Sequence, residues 1–259
     1  MTIGIDASRA FRKKKTGTEW YSYHVIREMV RQNTSDHIVL YTDRRIFLDE
    51  VGFDLPSSVK IRHLAWPLGK FWTQGRLSLE MMIHPPDVLF VPAHAIPLIH
   101  PRKTVTTIHD IGFLQYSESY SKKDLEYLRW STEYAIKHAY SLITVSEYSK
   151  SELCSQYDVP AEKIHVVYLG YDETLYHSSV DGSYEKIAKP YLVCIASLEP
   201  RKNITFLIDV FDALKKMGYE GELVLIGPEG YGAGKIMQRI QASPFVSSIR
   251  HLGWIEEKE

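Results

Sequence analysis

Cysteine is nearly absent: Cys154 and Cys194 are the only two in 259 residues, each beside apolar neighbours. They supply neither a disulfide framework nor a structural zinc site, and the chain is expected in a reducing cytoplasm. A surplus of either charge is also missing, since 31 Lys and Arg face 32 Asp and Glu for a formal charge of -1. A general nucleic-acid binder needs a basic excess for its phosphate contacts, so no nucleic-acid partner is expected. No apolar run approaches the length that spans a bilayer, and the opening MTIGIDASRA has no charged leader followed by an apolar stretch. Neither export nor integration into a membrane is expected. Repeats of solenoid period and low-complexity tracts are lacking. No His, Asp and Glu cluster calls for a metal. Two nucleotide signatures fail residue by residue: GPEGYGAGK at Gly227–Lys235 has Glu229 at the first glycine of a phosphate loop and Ile236 at its Ser or Thr. No G-x-G-x-x-G follows the first strand, which argues against a dehydrogenase.

What the chain does have is 44% hydrophobic residues, arranged as short apolar runs alternating with amphipathic ones. That pattern predicts strand and helix units around parallel sheets. Strands are predicted at Ile3–Asp6, His37–Thr42, Val59–Leu64, Val88–Val91, Thr104–Ile108, Leu142–Val145 and Ile164–Val167, which complete one sheet. Helices are predicted at Glu19–Gln32, Gln74–His84, Lys122–His138 and Glu147–Tyr157, the last capped by Ser146. Tyr168–Pro190 is polar and turn-rich and reads as a linker, dividing residues 1–181 from 187–259. A second α/β pattern follows: strand Tyr191–Ala196, helix Ile204–Met217, strand Leu223–Ile226, helix Lys235–Ala242 and strand Ile249–Leu252. A sheet of ~70 residues buries too little surface to stand complete, so a truncated chain or a partner is expected.

The most informative stretch is YLVCIASLEPRKN at Tyr191–Asn203, an apolar strand that runs into Arg201 and Lys202. Doubly wound sheets bind ligands outside the carboxyl ends of their strands, and a guanidinium beside an ammonium suits a diphosphate. The competing reading is a solvated basic turn. Another strand ends at His109 and Asp110, and VPAHAIP sets His94 on a further strand-end loop, with a structural role the stronger reading there. Gly17 reads as a turn residue or as a place where backbone approaches phosphate at a helix N-terminus. Thr18 and Glu19 read as a cap with a first-turn carboxylate, or as part of an acceptor pocket. Arg9, Arg12 and Lys13, Lys14 and Lys15 form the concentrated basic run. With an exposed Phe71–Trp72 pair they suit an anionic membrane surface; a solvated loop is the alternative.

Several of these stretches, in this order, resemble the retaining GT-B glycosyltransferases of the group-1 type. They are GIDASR, TGTEWYSYHVIREM, TIHDI, TVSEYSKSEL, VVYLGYD, SLEPRKN, LVLIG and HLGWIEEKE. The SLEPRKN wording is similar to that of mannosyltransferases of surface polysaccharide synthesis. The resemblance implies an α/β GT-B fold of two Rossmann-like domains facing across a cleft, the second incomplete here. It implies a nucleotide-sugar donor, GDP- or UDP-linked, as substrate rather than a resident cofactor. Gly17, Ser197, Arg201 and Lys202 would bind the donor. His109 and Asp110 would serve catalysis, and Thr18, Glu19 and His94 the glycan or lipid-linked acceptor. With the cysteine usage and the basic run, the expected location is the cytoplasm, either free or peripheral at the inner membrane face. One part of the pattern is missing: a Glu-Gly-aromatic-Gly segment with a second Glu eight positions on. Glu118 and Glu126 have that spacing, but the SYSKKDL between them lacks the glycines. The runner-up reading is therefore a non-catalytic homologue that binds nucleotide, glycan or a partner transferase.

Overall fold

A computed structural model describes residues 1–68, 71–173 and 190–255 of the chain. It divides into two compact units, Met1–Ile111 with Tyr127–Tyr171, and Gly112–Glu126 with Asp172–Glu259. The boundary expected between 181 and 187 lies outside the described residues, as does most of the expected linker.

The first unit is built on seven parallel strands, β1 (Thr2–Asp6), β2 (His37–Thr42), β3 (Val59–His63), β4 (Val88–Val91), β5 (Thr104–Thr107), β6 (Ser141–Thr144) and β7 (Ile164–Val166). Their order is β3-β2-β1-β4-β5-β6-β7, so all seven strands expected of the first sheet take their places in it. Strands covered on both faces read as unbroken apolar runs, which is what VLFV in β4 shows. Helices α1 (Gly17–Gln32), α2 (Leu48–Val51), α3 (Ser78–Ile83), α4 (Lys122–His138) and α5 (Glu147–Tyr157) connect them, the division between the units falling inside α4. Ser22, Ile26 and Val30 recur every four residues along α1, and Ile26 and Val30 join Ile5, Ile38 and Leu40 in the core. Each such aliphatic side chain contributes roughly 1.5–3 kcal/mol on burial. The Ser146 hydroxyl accepts from the Ser149 amide at 3.1 Å and caps α5 as expected.

Residues 73–84 depart from the expected continuous helix. Thr73–Leu77 is a π-helical turn, closed by the Leu77 amide on the Trp72 carbonyl at 2.9 Å, and α3 begins only at Ser78. The indole of Trp66 packs so closely on Gly75 that a Cβ there would lie 2.8 Å from the ring. The expected exposed aromatic pair is corrected in the same place. Phe71 is 65% exposed, but Trp72 is only 6% exposed because its indole N–H donates to the Leu64 carbonyl at 2.9 Å within the core.

The second unit holds β8 (Tyr191–Ile195), β9 (Glu222–Ile226) and β10 (Ile249–Gly253), parallel in the order β10-β9-β8, with α6 (Ile204–Lys216) and α7 (Ala233–Gln241). Ile204, Ile208 and Phe211 of α6 and Ile236 and Ile240 of α7 pack on Leu223 and Leu225. Arg239 ties the two helices by donating to Asp209 at 2.8 Å and to Asp212 at 2.6 Å. Among the described residues β8 pairs with β9 alone, and Ile195 is 77% exposed. Parallel strands are ordinarily covered on both faces, and β8 instead leaves apolar surface bare.

Candidate functional site

Between β1 and β4 the strand order reverses, and in open α/β sheets the crevice outside the carboxyl ends at that point is where ligands bind. Three loops of the first unit meet this rule. The loop after β1 leads into Gly17, that after β4 carries His94, and that after β5 carries His109 and Asp110.

Gly17 is the first residue of α1, and a Cβ built on it meets nothing within 4 Å. The fold itself does not demand glycine there. The Thr16 amide donates to the Glu19 carboxylate at 3.0 Å and the Thr16 hydroxyl donates to it as well, a capping box at the α1 N-terminus. Arg9 donates to the other Glu19 oxygen at 3.0 Å. Burial opposes ionisation of Glu19, but the bonds from Thr16 and Arg9 outweigh it and hold the carboxyl below its usual range. Thr18 turns its carbonyl to the Ser22 hydroxyl at 2.8 Å.

His109 is partly buried. Its Nε2 lies 3.2 Å from the Pro92 carbonyl, and its own carbonyl accepts from the Ser149 hydroxyl at 3.1 Å. The Tyr21 ring stands edge-on to it, centroids 4.6 Å apart. Asp110 is exposed. The His94 Nε2 meets the Thr132 hydroxyl of α4. Burial pulls the His94 ring down to about 4 and lowers His109 in the same direction; the charges of Arg9 and Asp110 act on both rings, with opposite signs. Arg9, Glu19, His94, His109 and Asp110 thus form one electrostatic neighbourhood. Arg9 was read from the sequence only as part of a basic run; its position three residues past the end of β1 was the signal for a site role.

A pH dependence follows with a definite sign. An unfolded His94 takes up a proton near its ordinary 6.5 while the folded ring refuses it until about 4. The unfolded state then binds more protons, so stability falls as pH drops through that window. Thermal unfolding midpoints should decline from pH 6.5 towards 4, and His94→Gln should flatten the decline. An unchanged slope in that variant would remove His94 as the cause.

In the second unit, the 3₁₀ turn Pro200–Lys202 follows β8 and sets Arg201 and Lys202 at the carboxyl end of the sheet. Glu199 organises the turn: it accepts from Arg201 Nε at 2.6 Å and from the Ser197 hydroxyl at 2.7 Å, while its carbonyl accepts from the Lys202 amide at 3.0 Å. The sequence reading gave Glu199 no role, although a carboxylate two residues before Arg201 was its signal. Asn203 takes a left-handed φ of 52° to turn the chain into α6. The loop rejected as a phosphate loop is the seat of this turn. Leu198 forms a parallel bridge to Glu229, and the Gly230 amide donates to the Leu198 carbonyl at 3.2 Å. A Cβ on Gly230 would lie 2.4 Å from Glu199, and one on Gly232 2.9 Å from Pro200. Ser117–Ser119, from the Gly112–Glu126 part of this unit, also packs against Pro200–Lys202. The predicted residues therefore fall into two sets: Gly17, Thr18, Glu19, His94, His109 and Asp110 on the first unit, and Ser197, Arg201 and Lys202 on the second.

The basic run is partly committed. Arg9 pairs with Glu19, Arg12 with Asp43, and Lys15 stands over the Trp20 ring at 4.8 Å and the Tyr23 ring at 5.3 Å. Among the described residues, no helix is long and apolar enough to cross a membrane.

Two Rossmann-like parallel sheets, the first carrying imidazole and charged groups and the second Arg201 and Lys202 on carboxyl-end loops, define an α/β fold of the GT-B glycosyltransferase type. Structural comparison agrees. WaaG, a glycosyltransferase involved in lipopolysaccharide biosynthesis, aligns with all of this chain and 71% of its own at 14% identity and a TM-score of 0.68. The apo lipopolysaccharide outer core galactosyltransferase WaaB aligns over the whole chain and 69% of its own, at 14% identity and a TM-score of 0.55. The chain belongs to Glycosyltransferase Family 4, whose profile matches residues 15–175. Among curated proteins it is 27% identical over 166 residues to the O-antigen chain mannosyltransferase B of Escherichia coli, covering 61% of this chain and 43% of that one. It is 24% identical over 202 residues to the O-antigen chain mannosyltransferase RfbU of Salmonella typhimurium, covering 74% and 54%. The chain spans about half the length of these relatives.

Proposed function

We propose that this chain carries the donor- and sugar-handling groups of a retaining hexosyltransferase of surface polysaccharide synthesis. It would use GDP-mannose by first preference, or another GDP- or UDP-hexose, and a glycan or lipid-linked acceptor. The carrying observation is the Arg201–Lys202 turn at the carboxyl end of β8, oriented by Glu199. Kinship to two O-antigen chain mannosyltransferases supports the choice of sugar. The bond from the anomeric carbon to the diphosphate breaks, and its electron pair leaves with the nucleoside diphosphate. Arg201 and Lys202 stabilise the charge that develops there, with Ser197 in the donor set. The acceptor hydroxyl forms the new bond on the same face, and its proton passes to the departing phosphate oxygen. His109, with Asp110 beside it, positions the sugar; Thr18, Glu19 and His94 border the acceptor.

Gly17 supplies a test free of folding effects. Gly17→Ala enters open space at a helix position where Ala is the better former by roughly 0.5–1 kcal/mol, so stability should hold or rise. If backbone at Gly17 approaches the donor phosphates, the same variant weakens GDP and UDP binding in calorimetric titrations. Unchanged affinity for both would remove Gly17 from the donor set.

Peripheral contact with an anionic membrane belongs to the same reading and rests on the basic run and the exposed Phe71. Binding to phosphatidylglycerol vesicles should weaken steeply between 50 and 500 mM salt, because about 1 kcal/mol per surface cation is screened. Salt-insensitive binding, or none, would overturn it. A silent binding module is the second reading, favoured by the bare apolar surface of β8.

A further inference from the structure

Tyr21 has no role in the function described above, yet two contacts make it the organiser of His109. Its hydroxyl lies 3.0 Å from the hydroxyl of Thr107, the fully buried last residue of β5, two positions before the histidine. Its ring stands perpendicular to the imidazole, at an interplanar angle of 88° and 4.6 Å between centroids. Edge-to-face rings at this separation are mutually attractive, and each fixes the plane of the other. The Pro92 carbonyl, 3.2 Å from Nε2 of the imidazole, can only accept a hydrogen bond. The proton of the neutral ring therefore resides on Nε2, and Nδ1 keeps its lone pair. Behind it the Ser149 hydroxyl holds the His109 carbonyl, and Ser149 is itself bonded to the α5 cap Ser146 at 3.0 Å.

We infer that Tyr21 is a positioning residue: by clamping the His109 ring against the Pro92 carbonyl it keeps Nδ1 as a fixed acceptor for a sugar hydroxyl. This deepens the role proposed for His109 and rests on it. A hydroxyl of the donor sugar or of the acceptor would donate to Nδ1, and protonation of that nitrogen would abolish the bond. The groups acting on the ring electrostatically are Arg9 from the β1 loop, His94 from the β4 loop and Asp110 on its own loop, while Tyr21 comes from α1. Burial among them keeps the ring neutral at pH 7.

The test uses the natural protein and two readouts, the NMR titration of the His109 Cε1 proton and the acid limb of kcat/KM. Tyr21→Ala frees and exposes the ring, so the His109 titration and the acid limb should both move to higher pH. Below pH 7 the loss of kcat/KM should be on the order of tenfold to a hundredfold, the scale of a misplaced reacting group. Tyr21→Phe keeps the edge-to-face contact and should restore both readouts most of the way. Because Tyr21 also lines an apolar groove of about 300 Å³ beside Val25 and Phe90, the Ala variant can fold poorly. Tyr21→Leu, which fills the volume without a ring, then decides by the same titration. An unmoved His109 titration in Ala or Leu overturns the inference. Normal turnover of His109→Ala would instead overturn the role of His109 while leaving the NMR result intact.

Discussion

Arg201→Ala should lower acceptor-dependent turnover by ~10²–10³ while leaving the fold in place, the size expected when one preorganised contact to a developing charge is lost. Two observations separate that loss from instability. The Arg201 side chain is 30% exposed and that of Glu199 20%, so water still screens their ion pair and its contribution to stability is only about 1 kcal/mol. Removing the guanidinium also leaves the Glu199 charge uncompensated where the proposed diphosphate would sit, which deepens the expected effect on the donor beyond one lost bond. Arg201→Lys should rescue only in part, because an ammonium restores the charge and not the planar fork. Thermal midpoints within a degree or two of the parent, together with the rate loss, are the expected pair of results. Unchanged turnover would remove the turn from the diphosphate site.

The second large effect is structural and reaches the same turn from behind. Gly227 has a φ of +140°, and a Cβ on it would lie 2.2 Å from the Ala196 carbonyl oxygen and 2.5 Å from its carbon. Neither atom can give way, because the Ala196 amide donates to Ile226 at 2.8 Å in the continuation of β8 against β9. The Gly227 peptide is pinned on both sides as well, its amide on the Gly253 carbonyl at 2.7 Å and its carbonyl 2.9 Å from His251 Nε2. A side chain in such a backbone region costs roughly 1–3 kcal/mol before any clash is counted. At ~4–8 °C per kcal/mol for a small unit, Gly227→Ala should lower the melting of the second unit by at least about 5 °C. It should also displace Ser197–Lys202 and weaken nucleotide binding. Calorimetry with a nucleotide titration checks both, and a variant that melts and binds like the parent would contradict the packing described. Gly17→Ala is the natural control, since one glycine is demanded by the fold and the other is not.

The contrast between these glycines shows what was readable in the chain. Strands such as β4 and β8, and helices such as α4 and α5, were legible because short apolar runs and caps are local signals. The strand-end positions of Arg201, Lys202 and His109 were legible because each lies in the loop that follows such a run. The GPEGYGAGK loop was denied a triphosphate role on its residues, but its packing role was not legible, because tight packing against Leu198–Pro200 depends on residues about thirty positions away. Trp72 was read as exposed because it stands just before the expected helix Gln74–His84; the contacts that bury its indole and shape the π turn are with Leu64 and, at Gly75, Trp66. Arg9 looked like one cation of a run until the fold brought it to Glu19 of α1. Tyr21 carried no signal, since its partners Thr107 and His109 are more than eighty residues away.

The most direct test of the account is release of nucleoside diphosphate by the natural protein. It would be incubated with GDP-mannose, and in parallel with UDP-glucose and UDP-galactose, with and without glycan-lipid carriers extracted from the source cells. The account predicts GDP or UDP release that depends on the carriers, comes with transfer of the hexose to them, and collapses in Arg201→Ala. Nucleotide binding without carrier-dependent release from any of the three donors would contradict it and leave a silent binding module.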